Sequence, residues 1–150
     1  MSSARVIWVD IETFVHATEE PEKVLKAFSF LLPEGIEKQV SKETVLGHYH
    51  NKIIIYKARI ADKKAIQNLL CLLSERLDEE DKRQLFDHFD KRVDDSGILY
   101  LRFDKQEAFK DKLKLSEEED VIRVRIKFSA YPLSRELIRE SCLNYGLMKK

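Results

Sequence analysis

Three stretches of the chain place basic side chains at every second position, and that spacing is the clearest chemistry the sequence offers. Lys57 and Arg59 alternate with Tyr56, Ala58 and Ile60; Tyr100 and Arg102 alternate with Leu99, Leu101 and Phe103; Arg123, Arg125 and Lys127 alternate with Ile122, Val124, Ile126 and Phe128. Successive side chains of a strand point to opposite faces. If the three stretches share a sheet, one face gathers Lys57, Arg59, Tyr100, Arg102, Arg123, Arg125 and Lys127. Such a face would set cations on the phosphates of RNA and stack a base on Tyr100. A second reading uses the same residues. Val6 to Ala17 also alternates and puts Asp10 and Glu12 on its polar side, where they would pair across strands with Arg123 and Arg125 and neutralise the face.

His48 and His50 lie two apart beside Tyr49, a spacing that can begin a metal site, but such a site needs more ligands and the remaining histidines, His16 and His88, have no sequence reason to converge. The expectation is a loop, in which His48, His50 and Lys52 could contact a phosphate. Acidic and basic residues are abundant without forming a catalytic constellation. There is no nucleophile in a recognisable setting, no phosphate-cradling loop and no dinucleotide-binding glycine pattern. The carboxylate clusters at 78–81 and 117–120 lack the alternating ligands and central glycine of a calcium loop. No catalytic residue, metal or cofactor is assigned, and the chain is read as a binding module rather than an enzyme.

The elements that must carry these residues follow from periodicity. Val6 to Ala17 predicts a strand with Ile7, Val9, Ile11, Thr13 and Val15 on its apolar side, and a helix follows from Pro21 with Val24, Leu25, Phe28, Leu31 and Leu32 at helical spacing up to Pro33. Gly35 to Leu46 and Ile53 to Ile60 predict a hairpin with a loop near 47–51. Asp62 caps a helix bearing Ile66, Leu69, Leu70 and Leu73, and Asp78-Glu79-Glu80-Asp81 opens another with Leu85, Phe86 and Phe89. A turn at 94–97 leads into the strand Ile98 to Phe103, then a short capped turn at 104–109, an acidic loop at 116–120 and the strand Val121 to Phe128. A final helix starts after Pro132 and Ser134 and stops near Gly146. This order predicts one α+β domain over 1–150, with a single antiparallel or mixed sheet and helices packed mainly on one face.

Composition bounds the rest. With 43% apolar residues over 150 positions, the chain can bury a core without metal or disulfide staples. Cys71 and Cys142 stand alone, as reduced thiols of a cytosolic protein do. Apolar runs of a few residues are far shorter than the ~20 a bilayer span needs, and no secretory signal opens the chain, so a cytoplasmic location is expected. Charged residues reach 36% while only 4 glycines and 3 prolines occur, a profile of heat-adapted proteins. The 27 basic and 27 acidic residues cancel, which argues against a long-range field for polyanions. Residues 1–50 carry 5 basic and 8 acidic groups, 51–100 carry 10 and 10, and 101–150 carry 12 and 9, so a polyanion site belongs to the last third.

His16-Ala17-Thr18-Glu19 leading into Glu22 to Ala27, then Gly47-His48-Tyr49, and above all Leu99 to Ala108 followed by Val121 to Lys127, together resemble an archaeal family described as RNA-binding and as exosome-related. The resemblance runs from about residue 6 to about residue 130 and is most specific over Leu99 to Ala108. It implies an α+β, ribosomal-protein-like fold comparable with the double-stranded-RNA-binding domain and the large-subunit ribosomal protein L-five, self-association and an RNA role. His50 departs from the glycine that the family pattern implies after Gly47-His48-Tyr49, which bears on the loop's conformation. Arg102 and Lys105, from a strand and the turn after it, would serve one ligand or pair with Asp104 and Glu107. Two functions follow: a non-catalytic RNA-binding or ribonucleoprotein accessory protein, or a protein-interaction module forming a homodimer without nucleic acid.

Overall fold

The computed structural model describes residues 4–36 and 39–150. Five strands form one sheet: β1 (Arg5–Val15), β2 (Val40–Leu46), β3 (Lys52–Ile60), β4 (Ile98–Asp104) and β5 (Val121–Ser129). Their order is β2-β3-β1-β5-β4, and every neighbouring pair is antiparallel. β1, the longest strand at eleven residues, is central and pairs with β3 along one edge and β5 along the other. Its odd-numbered residues Val9, Ile11, Thr13 and Val15 are buried, and the Thr13 hydroxyl donates to the Val121 carbonyl at 3.2 Å.

Six helices complete the fold: α1 (Pro21–Phe30), α2 (Lys63–Arg76), α3 (Glu79–Asp87), α4 (Phe89–Arg92), α5 (Lys105–Phe109) and α6 (Arg135–Tyr145). The caps foreseen at Asp62, Asp78 and Ser134 accept from the backbone N–H three residues on, at 3.0, 2.8 and 3.2 Å. α6 ends at Gly146, whose φ of +79° closes the helix by two backbone bonds onto Leu143 and Cys142. α1 and α2 lie on β1, and α6 packs on α2. Phe28, Leu69, Leu73, Ile11, Leu101, Phe103 and Phe128 are all fully buried between helices and sheet. Each such side chain contributes about 1.5–3 kcal/mol by leaving water, which fixes which face of every strand points inward.

Two local departures from simple alternation matter. The β1–β5 register slips between Val6 and Trp8, so Val6 pairs with Phe128 and Trp8 with Lys127. The intervening Ile7 sits in a bulge and is exposed, contrary to its expected inward position. The β2–β3 connection is a tight turn at His48–His50 in which Tyr49 and His50 take φ of 70° and 62°. His50 thus occupies a left-handed backbone position, the kind that a glycine meets without strain.

The two sheet edges differ. β2 is exposed along nearly its whole length and presents Lys42 and Glu43, charges of the kind that discourage further strand addition. β4 is covered: Val93 bridges Leu99 at one end, Leu115 bridges Phe103 at the other, and the backbone N–H of Ser116 donates to the Arg102 carbonyl.

Candidate nucleic-acid interface

The polar face of the sheet reads as cross-strand rows. Register places Arg59, Asp10, Arg125 and Tyr100 side by side across β3, β1, β5 and β4, and beside them Lys57, Glu12, Arg123 and Arg102. Lys127 lies next to Trp8 and Ile98. All seven residues assigned to this face from sequence, out of eight candidate RNA contacts, are therefore brought together: Lys57, Arg59, Tyr100, Arg102, Arg123, Arg125 and Lys127.

The eighth, Lys105, is not with them. It opens α5 and is 7% exposed, with Nζ bonded to the Phe14 carbonyl and to Asp120, both at 2.5 Å, and to Glu19 at 3.2 Å. It therefore pairs with neither Asp104 nor Glu107, whose contacts are local to the helix start: Asp104 accepts from the Glu107 N–H at 2.9 Å. A buried ammonium needs compensating oxygens, and the end of β1, the turn before α1 and the 116–120 loop supply them. His16 joins the same cluster, 3.1 Å from Asp120. His16, Glu19 and Asp120 are close enough together to suit a cation, but the Lys105 ammonium already bonds both carboxylates. Burial pushes the Asp120 carboxyl up, yet the hydrogen bond and charge of Lys105, with His16, outweigh it and hold the group below its ordinary value.

Charge on the face divides along β1. Asp10 accepts from Arg59 Nε at 2.7 Å and Nη2 at 2.8 Å and from Arg125 Nη2 at 3.0 Å. The hydrogen bond with Asp10 raises the Arg59 guanidinium above its ordinary value. Glu12 pairs with Lys57 at 3.6 Å, and Lys57 also lies 3.9 Å from Glu43. The neutralisation expected of Asp10 and Glu12 thus falls on Arg59, Arg125 and Lys57; Arg123 instead turns to the backbone of Glu119 at 3.1 Å and its carboxylate at 3.9 Å. Among the described residues Arg102 and Lys127 have no carboxylate partner, and Lys127 is tethered only to the Ser96 carbonyl.

The β5–β4 half therefore keeps excess positive charge. Arg102 sits directly opposite Arg123, and like charges in that position repel. Two aromatic rings on the face are already covered by cations, Trp8 by Arg59 at 4.3 Å and Phe14 by Arg123 at 5.6 Å. Tyr100 is different: it is 41% exposed, and its hydroxyl donates to Asp94 Oδ2 at 2.8 Å, which fixes the ring while leaving a face open. Burial pushes the Asp94 carboxyl up, but bonds from the Ile98 and Ser96 N–H groups and the Ser96 and Tyr100 hydroxyls outweigh it and hold the group at about 2.

His48, His50 and Lys52 are exposed at the β2–β3 end of the sheet, at the opposite edge from β4. They join none of the cations on the β5–β4 half. Sequence periodicity also missed His88, Lys91 and Arg92, which α3 and α4 bring to the β4 edge, where they share a cleft with Tyr100 and Arg102.

The family model described as RNA binding matches residues 8–128, which reaches into every strand of this sheet. The chain belongs to this RNA-binding family. RNA-binding protein PAB1135 of Pyrococcus abyssi is similar to this chain, 43% identical over 133 residues, covering 87% of this chain and 86% of that one. Two solved structures share the fold: protein AF2318 from Archaeglobus fulgidus, with a TM-score of 0.82 at 28% identity over 94% of this chain and 99% of that one, and Mth689 from Methanothermobacter thermautotrophicus, with 0.76 at 26% over 93% and 97%. Both are described as DUF54 proteins. The relatives are archaeal, as the resemblance implied. Among the described residues, no helix is long and apolar enough to cross a membrane.

Proposed function

We propose that the chain binds RNA through the β5–β4 half of its polar sheet face, as a non-catalytic component of RNA-containing complexes. The observation that carries this reading is the opposed pair Arg102 and Arg123, two cationic residues directly across β4 and β5 on the polar face of the sheet. Such repulsion is relieved when a phosphate lies between or beside them. Lys127 and Arg125 extend the cationic strip along β5, and Tyr100 offers a base-sized ring face next to it. Membership of an RNA-binding family supports the same assignment. A non-catalytic role is supported by the commitments of the acidic groups: the Asp10 carboxylate accepts three bonds from two guanidiniums, and Glu12 is engaged by Lys57.

The test is fluorescence anisotropy with labelled single-stranded and duplex RNA over a range of salt, comparing the wild type with Arg102→Ala/Arg123→Ala. Each phosphate contact contributes about 0.7 to the salt slope for single strands and about 0.9 for duplex. The double variant should therefore lose about 1.4–1.8 of slope and bind about tenfold or more weakly at moderate salt. A well-folded wild type that ignores RNA at low salt but self-associates would overturn the reading in favour of a protein-interaction module.

A further inference from the structure

The β4 edge is closed at both ends by the Val93–Leu99 and Phe103–Leu115 bridges, and the space between them opens into a cleft of about 410 Å³. Its walls bring together elements far apart in sequence: His88, Lys91 and Arg92 from the α3–α4 corner, Tyr100 and Arg102 from β4, and Glu117 from the acidic loop. Three of these are permanent cations and one is a carboxylate. Arg92 pairs with Glu117 at 2.9 Å, yet its own side chain is only 12% exposed while that of Glu117 is 82% exposed. The Nε of Arg92 is buried with no hydrogen-bond partner among the described residues. A guanidinium drawn this far from water, with an unused donor and a single solvent-facing carboxylate, is under-compensated. Neither Lys91 nor Arg102 has a carboxylate partner among the described residues.

We propose that this cleft takes a nucleotide carrying a terminal phosphate monoester. The charge balance selects that chemistry. Among the residues that line the cleft, with Asp94 outside the lining behind the Tyr100 hydroxyl, Lys91, Arg92 and Arg102 against Glu117 leave an excess of two positive charges, which matches the charge of about −1.5 to −2 on a monoester near neutral pH; a backbone diester carries half as much. Arg92 and Arg102 supply planar donors for phosphate oxygens, and His88 adds a ring N–H. The Tyr100 ring, held by Asp94 at 2.8 Å, forms the wall on which the base stacks. A volume of about 410 Å³ accommodates one nucleotide, at the small end of ligand clefts. Arg102 lies both here and on the sheet face, so the cleft continues the proposed RNA surface. The inference rests on that reading for the case in which the nucleotide is an RNA end.

The experiment compares one RNA sequence bearing a 5′-phosphate, a 3′-phosphate or hydroxyl ends, with adenosine monophosphate and adenosine as free-nucleotide arms. Anisotropy reads the oligonucleotides, and NMR shifts of Tyr100 and His88 read the free nucleotides. The expected result is a preference of about fivefold or more for one phosphorylated end, abolished in Arg92→Gln and reduced in Lys91→Gln, whose exposed side chain supports no packing. Hydroxyl-ended RNA should bind both variants with most of its affinity. If adenosine monophosphate shifts both residues and no RNA end is preferred, the cleft holds and its ligand is a free nucleotide. If RNA binds with equal affinity whatever its ends, and the monophosphate acts no differently from adenosine, the cleft inference is overturned while RNA binding by the sheet stands. If RNA fails to bind but the monophosphate does so through Arg92, the sheet reading falls and the cleft survives.

Discussion

Replacing Asp10 with asparagine tests the interface by adding positive charge without adding a cation. The Asp10 side chain is 12% exposed and holds Arg59 through two bonds, 2.7 and 2.8 Å, and Arg125 through a third at 3.0 Å. Asparagine keeps the shape and one acceptor oxygen but loses the charge. A hydrogen bond to a charged group contributes about 1.5–3 kcal/mol, but both guanidiniums are about half exposed and recover water, so the expected loss is about 1–2 kcal/mol. For a chain of this length that lowers Tm by about 3–6 °C. Binding should move the other way. Arg125 stands between Arg123 and Tyr100 in the proposed surface, and freeing it should steepen the salt slope by about 0.7–0.9, or about twice that if Arg59 also reaches a phosphate. At about 0.1 M salt this corresponds to roughly fivefold or more tighter binding. The assay is the same anisotropy titration, paired with thermal unfolding to show that the variant folds. A folded Asp10→Asn protein whose affinity and slope equal those of the wild type would show that these guanidiniums do not face RNA, and the surface would have to be sought elsewhere.

Two further outcomes concern stability. Lys105→Ala leaves the Glu19 and Asp120 carboxylates and the Phe14 carbonyl without their shared donor, so it should destabilise the fold by about 3 kcal/mol while leaving the salt slope of RNA binding unchanged; a protein that unfolds at the wild-type temperature would refute the structural role. Asp94, held at about 2, contributes stability that is present above its unfolded value near 3.9 and is lost as pH falls through about 2. Because the site faces solvent, that contribution is about 1 kcal/mol, and Tyr100→Phe should raise the Asp94 value in a carboxyl-detected NMR titration. No change would mean that the tyrosine hydroxyl does not bond this carboxylate in solution.

Much of the frame was legible because it is local. β5 alternates without interruption from Ile122 to Phe128, and the helix starts carry Asp62, Asp78 and Ser134 as side-chain caps. Once the strands were assigned, alternation alone put Arg123, Arg125 and Lys127 on one face. What escaped was what depends on three-dimensional placement. The bulge that turns Ile7 outward has no strong local signature, since an isoleucine suits either side of it. Lys105 read as a ligand contact or a partner of Asp104 and Glu107 because only the fold brings Glu19 and Asp120 around its ammonium. The expected opposition of Asp10 and Glu12 to Arg123 and Arg125 was right in register but incomplete. β3 on the other side of β1 competes for the same carboxylates, and strand order cannot be read from alternation. The β4-edge cleft was invisible for a similar reason: His88, Lys91 and Arg92 sit at the junction of two short helices, where no periodicity specifies direction.

The position of β1 in the middle of the sheet has a kinetic consequence. Asp10 meets Arg125 across 115 residues of sequence, so the strand made first must keep one edge unsatisfied until the last strand of the sheet has been synthesised. Pairings across so many residues form slowly and late. On a ribosome, β1, β2 and β3 can pair as soon as the hairpin emerges, giving a half-sheet whose polar face is the neutral one, with Asp10 and Glu12 against Arg59 and Lys57. The cationic strip of β5 and β4 docks only afterwards. A nascent or truncated chain would thus hold little attraction for surrounding RNA, and affinity would switch on with completion of the fold.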